Sequence, residues 1–161
     1  MSDKATYVHG AFSAIAERYD LLNTLLSFNR DRGWRRSTVS ALGLRGPEAI
    51  LDVATGTGKL AREVERNVGA GGRVVGIDFC EPMLRKATTL TDNAHLVLAT
   101  SESLPFPDNC FDTVLCNSLL EHDAHFWKAL AEIRRVARPG ALVVIGVPGF
   151  ADPPARWVRR W

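Results

Sequence analysis

Apolar residues recur at three- and four-residue steps through Phe12, Ile15, Ala16, Tyr19, Leu22 and Leu26, which predicts an amphipathic helical segment ahead of the first strand. A second helical piece is expected over Arg32 to Leu42. Gly46-Pro47 breaks that pattern, and Ala49 to Ala54 reads as a short buried strand running into a glycine-rich turn. From there strand-like and helix-like segments alternate. Strands are expected over Arg73 to Asp78, His95 to Ala99, Phe111 to Cys116 and Ala141 to Val147. Helices are expected over Lys59 to Asn67, Pro82 to Leu90 and Phe126 to Ala137, the last with Phe126, Leu130, Ile133 and Ala137 on one face. Strands that alternate with helices pair in parallel and bury both faces of their sheet, so the fold class is α/β.

Composition narrows the function without choosing it. A chain of 161 residues, 46% hydrophobic, has room for one domain with a real core: a helical segment over 1–45, an α/β core over 46–150 and a tail over 151–161. Lys plus Arg numbers 20 against 18 Asp plus Glu, and a net charge of +2 supplies no field strong enough to argue for nucleic acid, so no nucleic-acid partner is expected. Cys80, Cys110 and Cys116 are odd in number and form no Cys-x-x-Cys pair, which disfavours disulfides and a thiolate zinc site. No signal-peptide pattern opens the chain, and the longest apolar run, Ala141 to Val147, is far below the roughly 20 residues a membrane-crossing helix needs. A cytoplasmic protein without an integral membrane segment is the expectation.

The chemistry concentrates in Leu51-Asp52-Val53-Ala54-Thr55-Gly56-Thr57-Gly58, which joins the first strand to a helix. Glycines in such a loop permit positive φ and let the main chain approach a ligand closely. Asp78 stands twenty residues beyond Gly58 at the end of the second strand, where a carboxylate accepts hydrogen bonds from ribose hydroxyls. Loop and acid together suggest an adenosine site. Asp52 adds a condition of its own: a carboxylate on a buried apolar strand is costly to desolvate unless something pairs with it, and a bound ammonium or sulfonium would serve.

These residues resemble the class I, Rossmann-like methyltransferases, whose first motif is acid-x-Gly-x-Gly-x-Gly; Ala54 takes the place of the first glycine. Further matches follow in order: Glu81-Pro82-Met83-Leu84, then Ser103-Leu104-Pro105-Phe106-Pro107-Asp108, Phe111-Asp112-Thr113-Val114 and Arg135-Val136-Ala137-Arg138-Pro139-Gly140. Upstream, Ala11 to Asn23, with Leu26-Ser27-Phe28 and Trp34-Arg35-Arg36, is similar to the ubiquinone/menaquinone biosynthesis methyltransferases. The residues after the fourth and fifth strands, Ser118 to His122 and Gly146 to Phe150, follow a broader small-molecule methyltransferase pattern.

The resemblance implies S-adenosylmethionine as cofactor and a sheet of order 3-2-1-4-5, carboxyl-terminally short, with the final two strands missing. It also implies cofactor contacts from Asp52, Ala54, Thr55, Gly56, Gly58, Asp78, Phe79, Met83, Thr100, Ser101, Glu102 and Asn117. Thr100 and Ser101 stand where the family places an acid on the adenine amine, so a hydroxyl replaces a charge-assisted acceptor there. The implied acceptor is a small molecule, lipophilic or quinone-like.

Methyl transfer asks the protein mainly to align the reactants and, for some acceptors, to remove a proton. His122 is the candidate base, with Glu121 to orient it, and Tyr19 and Asp20 are placed to close over the acceptor, although Tyr19 also lies on the apolar stripe of its helix. His122 and His125 lack a third ligand at recognisable spacing, so no metal is expected. The tail from Pro153 to Trp161 reads as the first turns of a helix. Ala141 to Val147 would otherwise be an uncharged sheet edge, which should recruit a second copy of the chain or be covered by that tail. Two alternatives stand beside the enzyme: a catalytically silent S-adenosylmethionine-binding or scaffolding domain, and an NAD-dependent oxidoreductase, because Gly56-Thr57-Gly58-Lys59-Leu60-Ala61 also fits a dinucleotide fingerprint.

Overall fold

The computed structural model describes residues 10–44, 46–117 and 126–146 and the backbone of 156–160. Six strands form one sheet: β1 (Ala49–Val53), β2 (Arg73–Asp78), β3 (His95–Leu98), β4 (Phe111–Asn117), β5 (Ala137–Gly146) and β6 (Arg156–Arg160). Their order is β3-β2-β1-β4-β5-β6. The first five strands pair in parallel, in the order expected, and β6 is antiparallel to β5. Residues 10–15 form α1, followed by α2 (Tyr19–Leu26), α3 (Asp31–Leu42), α4 (Lys59–Glu65), α5 (Glu81–Leu90) and α6 (Phe126–Val136).

Alternation along β1 divides the core. Leu51 and Val53 pack with Ile77, Val114, Ala129, Ile133 and Val136, the cluster that α6 covers. Ile50 packs with Val74, Leu115, Val39, Leu60 and Val64, the cluster that α3 and α4 cover. Each large aliphatic side chain removed from water in this way contributes about 1.5–3 kcal/mol, so the two-sided burial of β1 explains its almost uniformly apolar sequence. Asp52 shares the parity of Ile50 and is the one charged residue of the strand.

The stretch over residues 104–108, ahead of β4, is gripped by one guanidinium. Arg135 on α6 donates from Nη1 to the Phe106 carbonyl at 2.7 Å and from Nη2 to the Leu104 carbonyl at 2.9 Å. It also pairs with Asp108 at 2.9 Å and Glu132 at 2.7 Å, while Glu132 accepts the Leu104 amide at 2.7 Å. The Leu-Pro-Phe segment is thereby pinned to α6.

Three expectations are corrected. The amino-terminal helical segment is not continuous: it tightens into a turn over 16–18, where the Arg18 amide bonds the Ile15 carbonyl at 2.8 Å. The fifth strand begins earlier than Ala141, because Ala137 already pairs with Phe111; the register then shifts to Leu142 opposite Thr113. Gly140, at φ 84°, lies within that irregularity. Finally, the tail expected to start a helix is a strand, so the sheet continues past the fifth strand. Its backbone runs from Arg156 opposite Gly146 to Arg160 opposite Leu142. The unpaired amides and carbonyls of β5 offer that backbone a ready ladder, which outweighs a weak local helical preference. Of the two fates expected for this edge, a second copy or the tail, the described residues have the tail.

Candidate functional site

The chain runs outward from β1 to β2 and β3 and returns to place β4 on the other side of β1. That reversal opens a crevice at the carboxyl ends of the strands, the general ligand position of open α/β sheets. The glycine-rich loop, Asp78 and Asn117 all lie at this end, because parallel pairing aligns Val53 with Ile77 and with Cys116.

The loop is held open by its backbone. Ala54, Gly56 and Gly58 have φ of 58°, 56° and 77°. Nothing lies within 4 Å of where a Cβ on Gly56 would stand, so its main chain faces open space that a ligand can fill. Gly58 does a different job: a Cβ there would meet the Ala87 Cβ at 2.9 Å, so its bareness lets α5 pack against the loop. The Thr55 amide reaches back to the Ile77 carbonyl at 2.8 Å and ties the loop to β2.

Asp78 fastens the loop as well as facing the crevice. Its Oδ2 accepts the Gly56 amide at 2.8 Å and its Oδ1 accepts the Cys80 amide at 2.8 Å. A carboxylate offers about four acceptor positions, so these two bonds do not by themselves preclude ribose hydroxyls.

Asp52 is 1% exposed. Burial pushes its carboxyl up to about 7, the nearby Asp78 charge adds to that, and the Thr55 hydroxyl, donating to Oδ2 at 2.7 Å, opposes it. A buried acid poised near neutrality beside a second carboxylate suits a cationic group, because a positive charge would restore the ionised form. Gly76, level with Asp52 on β2, was missed by the sequence reading. A Cβ there would meet the Thr55 Oγ1 and Cγ2 at 3.0 Å, so only a bare backbone lets Thr55 turn to Asp52.

The remaining expected contacts divide. The Ala99 amide bonds the Asp78 carbonyl at 3.0 Å, which carries Thr100, Ser101 and Glu102 to the carboxyl end of β2. Thr100 is exposed there, and Glu102 is half-buried, 3.9 Å from the Lys128 ammonium. Phe79 is half-buried next to Asp78. Asn117 is exposed at the end of β4, and its side chain lies over Gly146, where any Cβ would collide with it. Met83 is 2% exposed and packs with Ala16 and Cys80 under Phe12 and Tyr19. It lines the docking of the amino-terminal segment more than the crevice.

Tyr19 belongs to that same apolar contact, its ring edge-on to Phe12 at 5.9 Å. This is the packing that its place on the apolar stripe anticipates. Its neighbour Asp20 instead reaches the glycine loop and accepts the Thr57 hydroxyl at 2.7 Å. His122 lies outside the described residues. Among the described residues no cluster of metal-ligating side chains occurs, and no helix is long and apolar enough to cross a membrane.

Comparison with known proteins gives this arrangement a family. The ubiE/COQ5 methyltransferase family model matches residues 1–149. The demethylmenaquinone methyltransferase of Thermus thermophilus is 44% identical over 147 residues, 89% of this chain and 66% of that protein. The ubiquinone/menaquinone biosynthesis C-methyltransferase UbiE of a Geobacter species is 38% identical over 151 residues, 90% of this chain and 64% of that protein. The chain thus spans less than two thirds of the length of these curated relatives. A SAM-dependent methyltransferase from Aquifex aeolicus superposes with a TM-score of 0.63 at 27% identity, over 74% of this chain and 69% of that one. The oxidoreductase and scaffolding alternatives gain no support from these matches. S-adenosylmethionine is the cofactor that goes with this family and fold, and an open glycine loop between a ribose-ready acid and a buried carboxylate awaiting a cation fits it. By sequence along nearly its whole length and by the architecture of its loop, the chain belongs to the ubiE/COQ5 methyltransferase family.

Proposed function

We propose that this protein transfers a methyl group from S-adenosylmethionine to a small, lipophilic acceptor of the quinone-precursor class. The observation that carries the reading is the Asp52, Gly56 and Asp78 constellation at the sheet's reversal point. When bound, the cofactor supplies an electrophilic methyl group on a sulfonium. The bare main chain at Gly56 would pass under it, Asp78 would take the ribose hydroxyls, and Asp52 would answer the positive charge of the methionyl portion. Thr100, Ser101 and Glu102 border the adenine, with a hydroxyl as acceptor in place of the usual acid.

The acceptor class draws on two supports. The relatives' names, demethylmenaquinone methyltransferase and ubiquinone/menaquinone biosynthesis C-methyltransferase, are one. The other is the amino-terminal segment, which docks beside Asp78 through Ala16 and Cys80 and exposes Leu21, Leu25, Leu26 and Phe28. A ring carbon that gains a methyl must lose a proton, and His122, by its place in the sequence after β4, is the base assigned to it.

Calorimetric titration with S-adenosylmethionine, with S-adenosylhomocysteine and with NAD tests the cofactor. Transfer of a labelled methyl group to a demethylmenaquinone analogue tests the acceptor. Binding of the two adenosyl compounds but not NAD, with label appearing on the ring, is the expected result. Cofactor binding with label on no quinone analogue would overturn the acceptor and leave the cofactor standing.

A further inference from the structure

Beyond Thr55, whose amide ties it to β2, the glycine loop is fastened on both sides. On one side the Gly56 amide bonds Asp78. On the other the hydroxyl of Thr57, which is 3% exposed, leaves the sheet altogether and donates to Asp20 Oδ1 on α2 at 2.7 Å. The same oxygen is 3.3 Å from the Lys59 ammonium at the start of α4, and Asp20 Oδ2 is 3.5 Å from the Lys86 ammonium on α5. Lys86 in turn donates to the Glu17 carbonyl at 3.0 Å and the Ala16 carbonyl at 3.3 Å, in the turn between α1 and α2. One carboxylate therefore joins the amino-terminal helices, the cofactor loop and the two helices that follow the loop and the ribose acid.

The arrangement has a physical consequence for the loop. Gly56 and Gly58 both sit at positive φ and leave the segment many alternative conformations, and Thr57 is the residue between them. Without a partner for Thr57, a buried hydroxyl would be left unsatisfied and the loop would lose its anchor to α2. The partner comes from 37 residues upstream, on a segment that touches the core beside Asp78 through a small apolar cluster of Ala16, Cys80 and Met83. Docking of that segment and the shape of the loop are thus one equilibrium.

We propose that Asp20 is a positioning residue that holds the cofactor loop through Thr57, so that cofactor binding and docking of the amino-terminal helices reinforce each other. The coupling is reciprocal: a ligand that needs the ordered loop must also favour the docked segment. This rests on the loop being the S-adenosylmethionine site.

The test uses the full chain, S-adenosylhomocysteine as the probe, and Asp20→Ala, Thr57→Val, Thr57→Ser and the Asp20→Ala/Thr57→Val pair. Calorimetry reads affinity, and hydrogen exchange of residues 10–26 with and without the probe reads docking. In the unsubstituted protein the probe should slow exchange over 10–26. Asp20→Ala and Thr57→Val should each weaken binding about tenfold and abolish that slowing, with the double variant no worse than either single one. Thr57→Ser, which keeps the hydroxyl, should behave as the unsubstituted protein. Unchanged affinity in folded Asp20→Ala and Thr57→Val, or losses that simply add in the double variant, would overturn the proposal. If Asp20→Ala does not fold, the contrast of Thr57→Val with Thr57→Ser decides alone. An unsubstituted protein that binds no S-adenosylhomocysteine would overturn the cofactor reading first, and this one with it.

Discussion

The Thr55 hydroxyl donates to Asp52 Oδ2 at 2.7 Å and favours the charged form of a carboxylate that burial nonetheless pushes up to about 7. The folded chain therefore holds a proton that the unfolded chain releases near 3.8. Between those two values the folded state binds more protons, so stability falls as pH rises from about 4 to about 7 and then levels off. Asp52→Asn should flatten that part of the profile in urea unfolding followed across pH. A sulfonium beside Asp52 should also expel its proton, so the binding enthalpy at about pH 6 should vary with the ionisation enthalpy of the buffer, and cease to do so in Asp52→Asn. A buffer-independent enthalpy in the unsubstituted protein would contradict this.

Asp78→Asn should weaken S-adenosylhomocysteine by about 1–3 kcal/mol, because an amide offers one acceptor oxygen where the carboxylate offers two. The two backbone bonds to Gly56 and Cys80 already use both oxygens, so the variant should also speed hydrogen exchange at Gly56 or Cys80. Lost affinity with both amides still protected would point to the ribose contact alone.

Ala54 sits at φ 58° with a side chain, where the resembled motif has glycine. An L-residue in that region is disfavoured by about 1–2 kcal/mol, and the added freedom of glycine in the unfolded chain takes back part of the gain. Ala54→Gly should therefore leave the protein equal or more stable, by up to about 1 kcal/mol, in thermal unfolding. A clear loss of stability would show that the methyl group packs usefully.

Arg135→Ala should cost about 2 kcal/mol in urea unfolding with an unchanged slope, since it leaves the Leu104 and Phe106 carbonyls and Glu132 without their shared donor. Arg135→Lys should recover little of this, because one ammonium cannot reproduce the planar fork. Equal stability of the lysine variant and the unsubstituted protein would show that charge alone suffices.

Removing residues 153–161 should bare the edge of β5, whose Leu142, Val143, Val144 and Ile145 carry no charge. Such an edge pairs with other edges, so the shortened chain should self-associate more strongly in sedimentation velocity than the full chain. Identical sedimentation of the two would mean that the antiparallel pairing does not protect the edge.

Much of this protein could be read from local pattern. Strands β1 to β4 and the helices between them follow from apolar periodicity and glycine punctuation, because each buries its own face whatever its neighbours are. The loop from Asp52 to Gly58 and the acid at Asp78 could be located for a similar reason: positive φ and a ribose-binding carboxylate select residue types at nearly fixed spacing.

What the pattern could not contain was decided by contacts distant in sequence. The tail becomes β6 because β5 presents an unpaired ladder, a fact about a strand ten residues away and not about Arg156 to Arg160 themselves. Gly76 matters because Thr55 packs onto it, and Asp78 fastens its loop because Gly56 lies within 2.8 Å of it across 22 residues. Asp20 stood in the sequence as an acid near an acceptor. Only folding, which sets it against Thr57, Lys59 and Lys86, makes it the residue on which the loop, α4 and α5 converge, since a hydrogen bond depends on distance in space and a sequence records only distance along the chain.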